Sequence, residues 1–149
     1  MPDAYNRKLD LFEFIKQLPM TYDETKVLEM KIGEHITMAR RSELDWLVAS
    51  LANESGRALE IKLDFLVPNL PYEATLYQDA EDSNFEFPGA WSKKKAAKIK
   101  APFKPVETKR ELYQVRKMTV KKGDTISATI APGGGHCIWI RPQKKSAGK

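Results

Sequence analysis

Cysteine, histidine and long apolar runs are scarce in this sequence of 149 residues. Cys137 is the single cysteine, which excludes an internal disulfide. His35 and His136 are the only histidines, and no His-x-x-x-His or Cys-x-x-Cys spacing is present. A metal site or other cofactor held by this chain is therefore not expected. No apolar run approaches the ~20 residues that span a bilayer, and the first residues lack the basic and apolar regions of a signal peptide.

Motifs for nucleophilic and phosphate chemistry are also missing. No Gly-x-Ser-x-Gly elbow occurs, and Gly133–Gly135 is followed by neither Lys-Ser/Thr nor a helix pattern, which favours a turn between strands. Asp23, Glu24, Glu29 and Glu34 could in principle supply the two carboxylates of a glycoside hydrolase. Exposed strand and turn residues are the favoured interpretation, so no catalytic, cofactor-binding or metal-binding residue is predicted.

Positive charge is confined to two segments, although the formal net charge is +5. Six lysines lie between Lys93 and Lys104, and four basic residues lie between Arg141 and Lys149, with no acid in either segment. Outside these ten, the remaining 15 of the 25 basic residues are outnumbered by 20 acids. A basic surface spread over the molecule is thus absent, which argues against a nucleic-acid partner.

One helix is predicted before the strands. Leu11, Phe14, Ile15 and Leu18 follow helical spacing and form an apolar stripe, and Pro19 ends the pattern. Such a helix either lies across its own β-sandwich or is the last helix of a preceding domain. We expect a partly exposed stripe in the second case.

Alternating apolar and polar residues predict an antiparallel β-sandwich of about seven or eight strands that begins after this helix. The centre is an extended segment, Tyr22–Leu28, followed by a hairpin whose polar turn is Ser42–Asp45. The continuously apolar second arm predicts a strand buried on both faces or at the centre of the sandwich. Further strands are predicted at 59–65, 72–77, 111–120, 126–130 and 136–141, with a tight turn at 122–124.

The sequence thus divides into three parts: a helical segment at 1–20, a sandwich at 21–142 with a long lysine-rich loop at 80–108, and a disordered tail at 143–149. Trp91 and Phe103 flank the lysines and could anchor the loop or contact a carbohydrate or a partner. Trp46 and Trp139 fall in strand patterns, where packing is favoured over sugar binding.

Several of these segments together resemble the C-terminal domain of glycoside hydrolase family 97, a group of bacterial α-glucosidases and α-galactosidases. The resemblance covers most of the chain except the lysine-rich loop and the tail. It is carried, in order, by Met1–Tyr5 with Phe12–Lys16, by Tyr22–Leu28 with Gly33–Arg41 and Asp45–Val48, by Leu63–Leu66, by Tyr72–Asp79 and by Ala131–Gly135.

The resemblance implies an accessory domain that packs on a catalytic (β/α)8 barrel and takes part in oligomerisation. In this family the catalytic acid, the base or nucleophile and the calcium-binding glutamates lie in the barrel, and none of them matches a position in this chain. The chain alone is then not an enzyme, and calcium belongs to the barrel. An exported or periplasmic location is implied in the same way.

Two other functions remain open from the sequence. A carbohydrate-binding module would need exposed aromatic platforms, and burial of Trp46, Trp91 and Trp139 would argue against it. A stand-alone interaction domain would use the lysine-rich loop on an acidic partner, and its binding would weaken with salt.

Overall fold

The computed structural model describes residues 9–80 and 113–144. In this part of the chain one short helix, α1 (Leu9–Lys16), precedes eight strands. The strands are β1 (Glu24–Lys31), β2 (His35–Ser42), β3 (Asp45–Ala52), β4 (Arg57–Lys62), β5 (Tyr72–Asp79), β6 (Tyr113–Val120), β7 (Thr125–Ile130) and β8 (Gly135–Pro142).

The strands form two antiparallel sheets, which confirms the predicted all-β sandwich. The large sheet has the strand order β1-β2-β3-β8-β5-β6, and the small sheet pairs β4 with β7. The turn predicted at 122–124 is present, with Gly123 at a φ of 90°. It carries the chain from the large sheet to the small one, because β6 pairs with β5 while β7 pairs with β4.

The hydrophobic core lies between the two sheets. Alternate residues of the central strands point into it, as period-two patterns require. Trp46 and Val48 come from β3, Ile138 and Ile140 from β8, and the ring of Trp46 lies 4.6 Å from that of Phe65. The core also contains Ala39, Ile61, Leu63, Leu66, Tyr72, Ala74, Leu76, Val120, Ile126 and Ala128.

Three details differ from the sequence-based expectations. The extended segment at Tyr22–Leu28 continues as the full strand β1, which pairs with β2 and adds a second hairpin. The strand predicted at 59–65 ends at Lys62, although Leu63 remains buried. Strand β3 is not buried on both faces throughout, since Leu51 is 66% exposed. Apolar periodicity reports a strand well but does not show where its outer face is covered.

Candidate interaction surface

The outer face of the large sheet, which points away from the core, carries many apolar side chains beside polar ones such as Arg40, Glu73 and Lys117. On a sheet that faces water on one side, the outer positions are normally polar. Here strand register places large hydrophobic side chains from all six strands on this face: Val27, Met30, Ile36, Met38, Leu47, Leu51, Tyr77, Val115 and Trp139. We call this set the outer apolar face.

The small sheet has the opposite character on its outer side. Its outward positions are all exposed, and five of the six are polar or charged: Ala58, Glu60, Lys62, Thr125, Ser127 and Thr129. The outer side of the small sheet is thus mostly polar, whereas the outer apolar face exposes several large hydrophobic side chains, which marks it as a surface for contact.

Helix α1 covers part of the outer apolar face. The ring of Phe14 lies 4.7 Å from that of Tyr77 and 5.5 Å from that of Trp139. The Tyr113 hydroxyl donates a hydrogen bond of 2.6 Å to Asp10 Oδ1 in the helix. An aromatic contact and a hydrogen bond thus fix the helix over strands β5, β6 and β8.

A cleft of about 280 Å³ remains between α1 and the sheet. The guanidinium of Arg141 lies 3.3 Å above the ring of Trp139 and donates a hydrogen bond to Gln17. Partial burial, with the nearby charge of Asp10 as a smaller cause, raises the pKa of the Tyr77 phenol. Because Trp139 lies beneath the arginine and is only 7% exposed, its ring offers no open platform to a sugar.

Three other residues of the outer apolar face are largely uncovered by the described residues. Val27 is 55% exposed, Met30 58% and Leu51 66%. On α1 itself Ile15 is 55% exposed, although Phe14 packs on the sheet. The apolar stripe of the helix is thus partly exposed among the described residues.

The four acids singled out in the sequence serve strand ends and surface ion pairs. Asp23 accepts a hydrogen bond of 2.8 Å from the backbone N–H of Glu43. Hydrogen bonds from Lys26, and then from Arg41, lower the pKa of Glu24. These contacts agree with a role in holding the hairpins.

Glu34 and Glu29 lie at the other end of the same hairpin. Hydrogen bonds from Lys31, and then from Arg57, lower the pKa of Glu34. The Oε1 atom of Glu29 lies 3.1 Å from Nε2 of the buried His35, without hydrogen-bond geometry. Asp23 and Glu24 share Arg41 as a partner, while Glu34 pairs with Arg57.

Both histidines point inward at one end of the sandwich. Arg57 donates a hydrogen bond of 2.8 Å to Nδ1 of His35. Burial lowers the pKa of His136 to about 4, and neither of its ring nitrogens has a hydrogen-bond partner among the described residues. Burial also raises the pKa of the Cys137 thiol to about 11, which makes it a poor nucleophile at neutral pH.

Gly133–Gly135 forms the turn between β7 and β8, as its sequence predicts. The carboxylate of Asp79 accepts a hydrogen bond of 2.9 Å from the backbone N–H of Ala131 and fills the space beside Gly134. A Cβ atom on Gly134 would collide with Oδ2 of Asp79. The glycine is required by this close approach, and no anion-binding geometry is needed to explain it.

Several predicted features remain separate from this surface. Trp46 is 3% exposed in the core, so neither described tryptophan supplies an exposed platform. Trp91, Phe103 and the lysine-rich loop lie outside the described residues. Within the described ranges, no three His, Cys, Asp or Glu side chains are arranged to hold a metal ion, and no helix is long and apolar enough to cross a membrane.

Sequence reasoning missed the outer apolar face as a whole. A signal for it exists, because Ile36 and Met38 share one face of β2 while Thr37 and Ala39 on the other face are buried. A strand whose two faces are both apolar implies a cover on each side. Recognising the full surface also needs the strand order, which brings residues of distant segments side by side.

The fold and the outer apolar face together define a β-sandwich domain whose large sheet exposes a surface for contact. A family model described as "Glycosyl-hydrolase 97 C-terminal, oligomerisation" matches residues 21–141. The chain therefore belongs to this family of C-terminal domains of family 97 glycoside hydrolases, as the sequence resemblance indicated.

A curated relative is the retaining alpha-galactosidase of Bacteroides thetaiotaomicron, 28% identical over 140 residues. The match takes in 94% of this chain but 18% of the relative. This chain therefore spans less than a fifth of that enzyme's length.

The fold also matches solved structures of a family 97 enzyme from Pseudoalteromonas sp. strain K8. The complex with acarbose superposes with a TM-score of 0.77 at 22% identity, and covers 97% of this chain and 20% of the other. A variant of that enzyme in complex with panose gives a TM-score of 0.75 at 23% identity. At these identities the match establishes the shared fold.

Proposed function

We propose that this chain is the accessory C-terminal domain of a family 97 glycoside hydrolase and docks through its outer apolar face on a catalytic barrel. The outer apolar face is the observation that carries the proposal, because an uncovered sheet surface with Val27, Met30 and Leu51 exposed is unfavourable in water. The polar outer side of the small sheet makes it the solvent side of the assembly.

Helix α1 supports the same orientation. It packs on the outer apolar face through Phe14 and leaves Ile15 half exposed. A preceding barrel attached through this helix would lie against the same face. Since the chain matches only 18% of the length of the alpha-galactosidase, the relative has ample sequence for such a barrel.

In this proposal the chain contributes no catalytic group. Its clustered acids are engaged with Lys, Arg and backbone groups near the surface. Sugar hydrolysis, the calcium ion and export to the periplasm are assigned to the full-length enzyme on family resemblance. The purified chain should leave aryl α-glucosides and α-galactosides intact.

Docking is tested with the coding sequence immediately upstream of Met1. This sequence should encode a barrel, and the barrel expressed separately should form a complex with the purified chain. Leu51→Asp on the outer apolar face should weaken that complex at least tenfold, which corresponds to about 1.4 kcal/mol. Ser127→Asp, an exposed position on the small sheet, is the matched control and should leave binding unchanged.

Two results would overturn the proposal. One is an upstream segment that encodes no barrel. The other is a barrel that binds the Leu51→Asp chain as tightly as the wild-type chain but binds the Ser127→Asp chain more weakly.

A further inference from the structure

Strand β1 is an edge of the large sheet. Within the described residues it pairs on one side with β2 and on the other side with no strand. Edge strands present unpaired backbone N–H and C=O groups that can accept a further strand. Most side chains of β1 are exposed, with the pattern broken by a bulge between Val27 and Glu29.

The charge pattern of β1 is complementary to the same pattern running in the opposite direction, as it would in an antiparallel pair of two copies. In an antiparallel pair of two β1 strands centred between Val27 and Leu28, Glu24 of one copy lies opposite Lys31 of the other. In the same pairing Lys26 lies opposite Glu29. Every charged residue of the strand thus meets an opposite charge, and the uncharged positions meet one another. Opposite-charge cross-strand pairs are favourable, and like charges directly opposite are destabilising.

No other register of two antiparallel β1 strands places every charged residue opposite a residue of opposite charge. A shift of two residues in one direction places Lys26 opposite Lys31, and a shift of two in the other direction places Glu24 opposite Glu29. Shifts of two are the relevant competitors, because a shift of one moves side chains to the wrong face. Lysines on edge strands usually discourage pairing, but this pattern selects one partner and one register.

Apolar residues lie beside the same edge. Val27 and Met30 are on the outer face of β1, and both are more than half exposed. Ile32, which directly follows the strand, is 90% exposed. The self-complementary register, continued past the strand ends, brings Ile32 of one copy opposite Asp23 of the other. Pairing would remove part of this apolar area from water.

We propose that a second copy of this chain pairs antiparallel with β1 about a two-fold axis between Val27 and Leu28, so that two six-stranded sheets become one. A two-fold axis requires a self-complementary surface, which is what the sequence of β1 provides. The bulge lies at the axis, and the charged pairs flank it. The description of the family model includes oligomerisation, and the inference goes beyond it and beyond barrel docking by naming the contacting strand, its register and the partner.

The test reverses one charge at a time in the complete chain. Lys26→Glu alone should place two acids opposite each other, and Glu29→Lys alone should place two lysines opposite each other. Each variant should dimerise at least tenfold more weakly than the wild-type chain in sedimentation velocity. Mixed in equal amounts, the two variants should form a heterodimer, because both cross-strand pairs become complementary again. Native mass spectrometry should find one copy of each.

Rescue by mixing separates pairing from folding, since a variant that fails to fold gains nothing from a second variant. Lys62→Glu, on the exposed side of the small sheet, is the matched control and should dimerise like the wild type. A wild-type chain that stays monomeric at high micromolar concentration would overturn the inference. The inference would also be overturned if each single variant dimerised as tightly as the wild type, or if the mixture of the two variants did not associate.

These outcomes are independent of barrel docking. Leu51→Asp, which weakens the barrel complex in the preceding proposal, lies on β3, two strands away from the edge. A chain that dimerises as expected without binding a barrel would reject barrel docking only. A chain that binds the barrel but stays monomeric would reject pairing through β1 only.

Discussion

At the residue scale, the sequence correctly predicts a turn at Gly134 but does not show why glycine is needed there. Three successive glycines predict a turn, and the turn is present. The specific requirement comes from Asp79, which lies far away in sequence and fills the space where a side chain would stand. Local composition identifies a turn, but the tertiary contact that makes one glycine indispensable needs the fold.

Gly134→Ala should destabilise the chain by about 1–3 kcal/mol. The added methyl group would collide with the Asp79 carboxylate and displace its hydrogen bond to Ala131. Urea denaturation measures the loss. In an Asp79→Ala background the same glycine substitution should cost clearly less, because the colliding group is absent. An equal cost in both backgrounds would contradict the clash.

His136 should make the stability of the chain depend on pH. Burial lowers its folded-state pKa to about 4 from an ordinary value near 6.5. The unfolded chain therefore binds more protons than the folded chain between these values. The stabilising contribution is complete above about pH 6.5 and is lost as the pH falls towards 4, by about 1–3 kcal/mol.

His136→Leu should flatten that part of the stability curve. The comparison uses urea midpoints of the variant and the wild type at pH 7 and pH 4.5. Acids such as Glu24 affect both proteins equally, so the difference between the two curves isolates the histidine. Parallel curves would show that His136 does not titrate as its burial requires.

At the scale of elements, helix α1 was predicted from its stripe of Leu11, Phe14, Ile15 and Leu18. The strands were predicted from alternation, and both kinds of element are confirmed by the structure. Pairing was harder to predict, because register depends on contacts between distant segments. Thus the extended segment before β2 was recognised, but its role as the edge of a six-stranded sheet was not.

The two sides of α1 should respond differently to truncation. Phe14→Ala removes ring contacts with Tyr77 and Trp139 and should destabilise the purified chain by about 1–3 kcal/mol. Ile15→Ala removes a half-exposed side chain and should change stability by less than about 0.5 kcal/mol. Thermal or urea denaturation of both variants gives the comparison. Equal losses would mean that Ile15 is covered by the chain itself.

At the scale of the molecule, the two outer sheet surfaces differ in a way that a single isolated domain does not need. The small sheet is mostly polar outside, whereas the large sheet exposes large apolar side chains among the polar positions of its outer side. The architecture could be predicted from alternation and resemblance. The outer apolar face could not be predicted, because it combines residues of β1, β2, β3, β5, β6 and β8, and only the strand order shows that these strands are neighbours.

The proposed docking requires that an upstream barrel covers the outer apolar face. Hydroxyl-radical footprinting of the isolated chain and of the same chain joined to its upstream barrel tests this most directly. Ile15, Met38 and Leu51 should be modified several-fold less in the joined protein, while the exposed Met20 and the small-sheet residues Glu60 and Lys62 serve as references. Equal modification of Leu51 and Ile15 in both proteins would contradict the account.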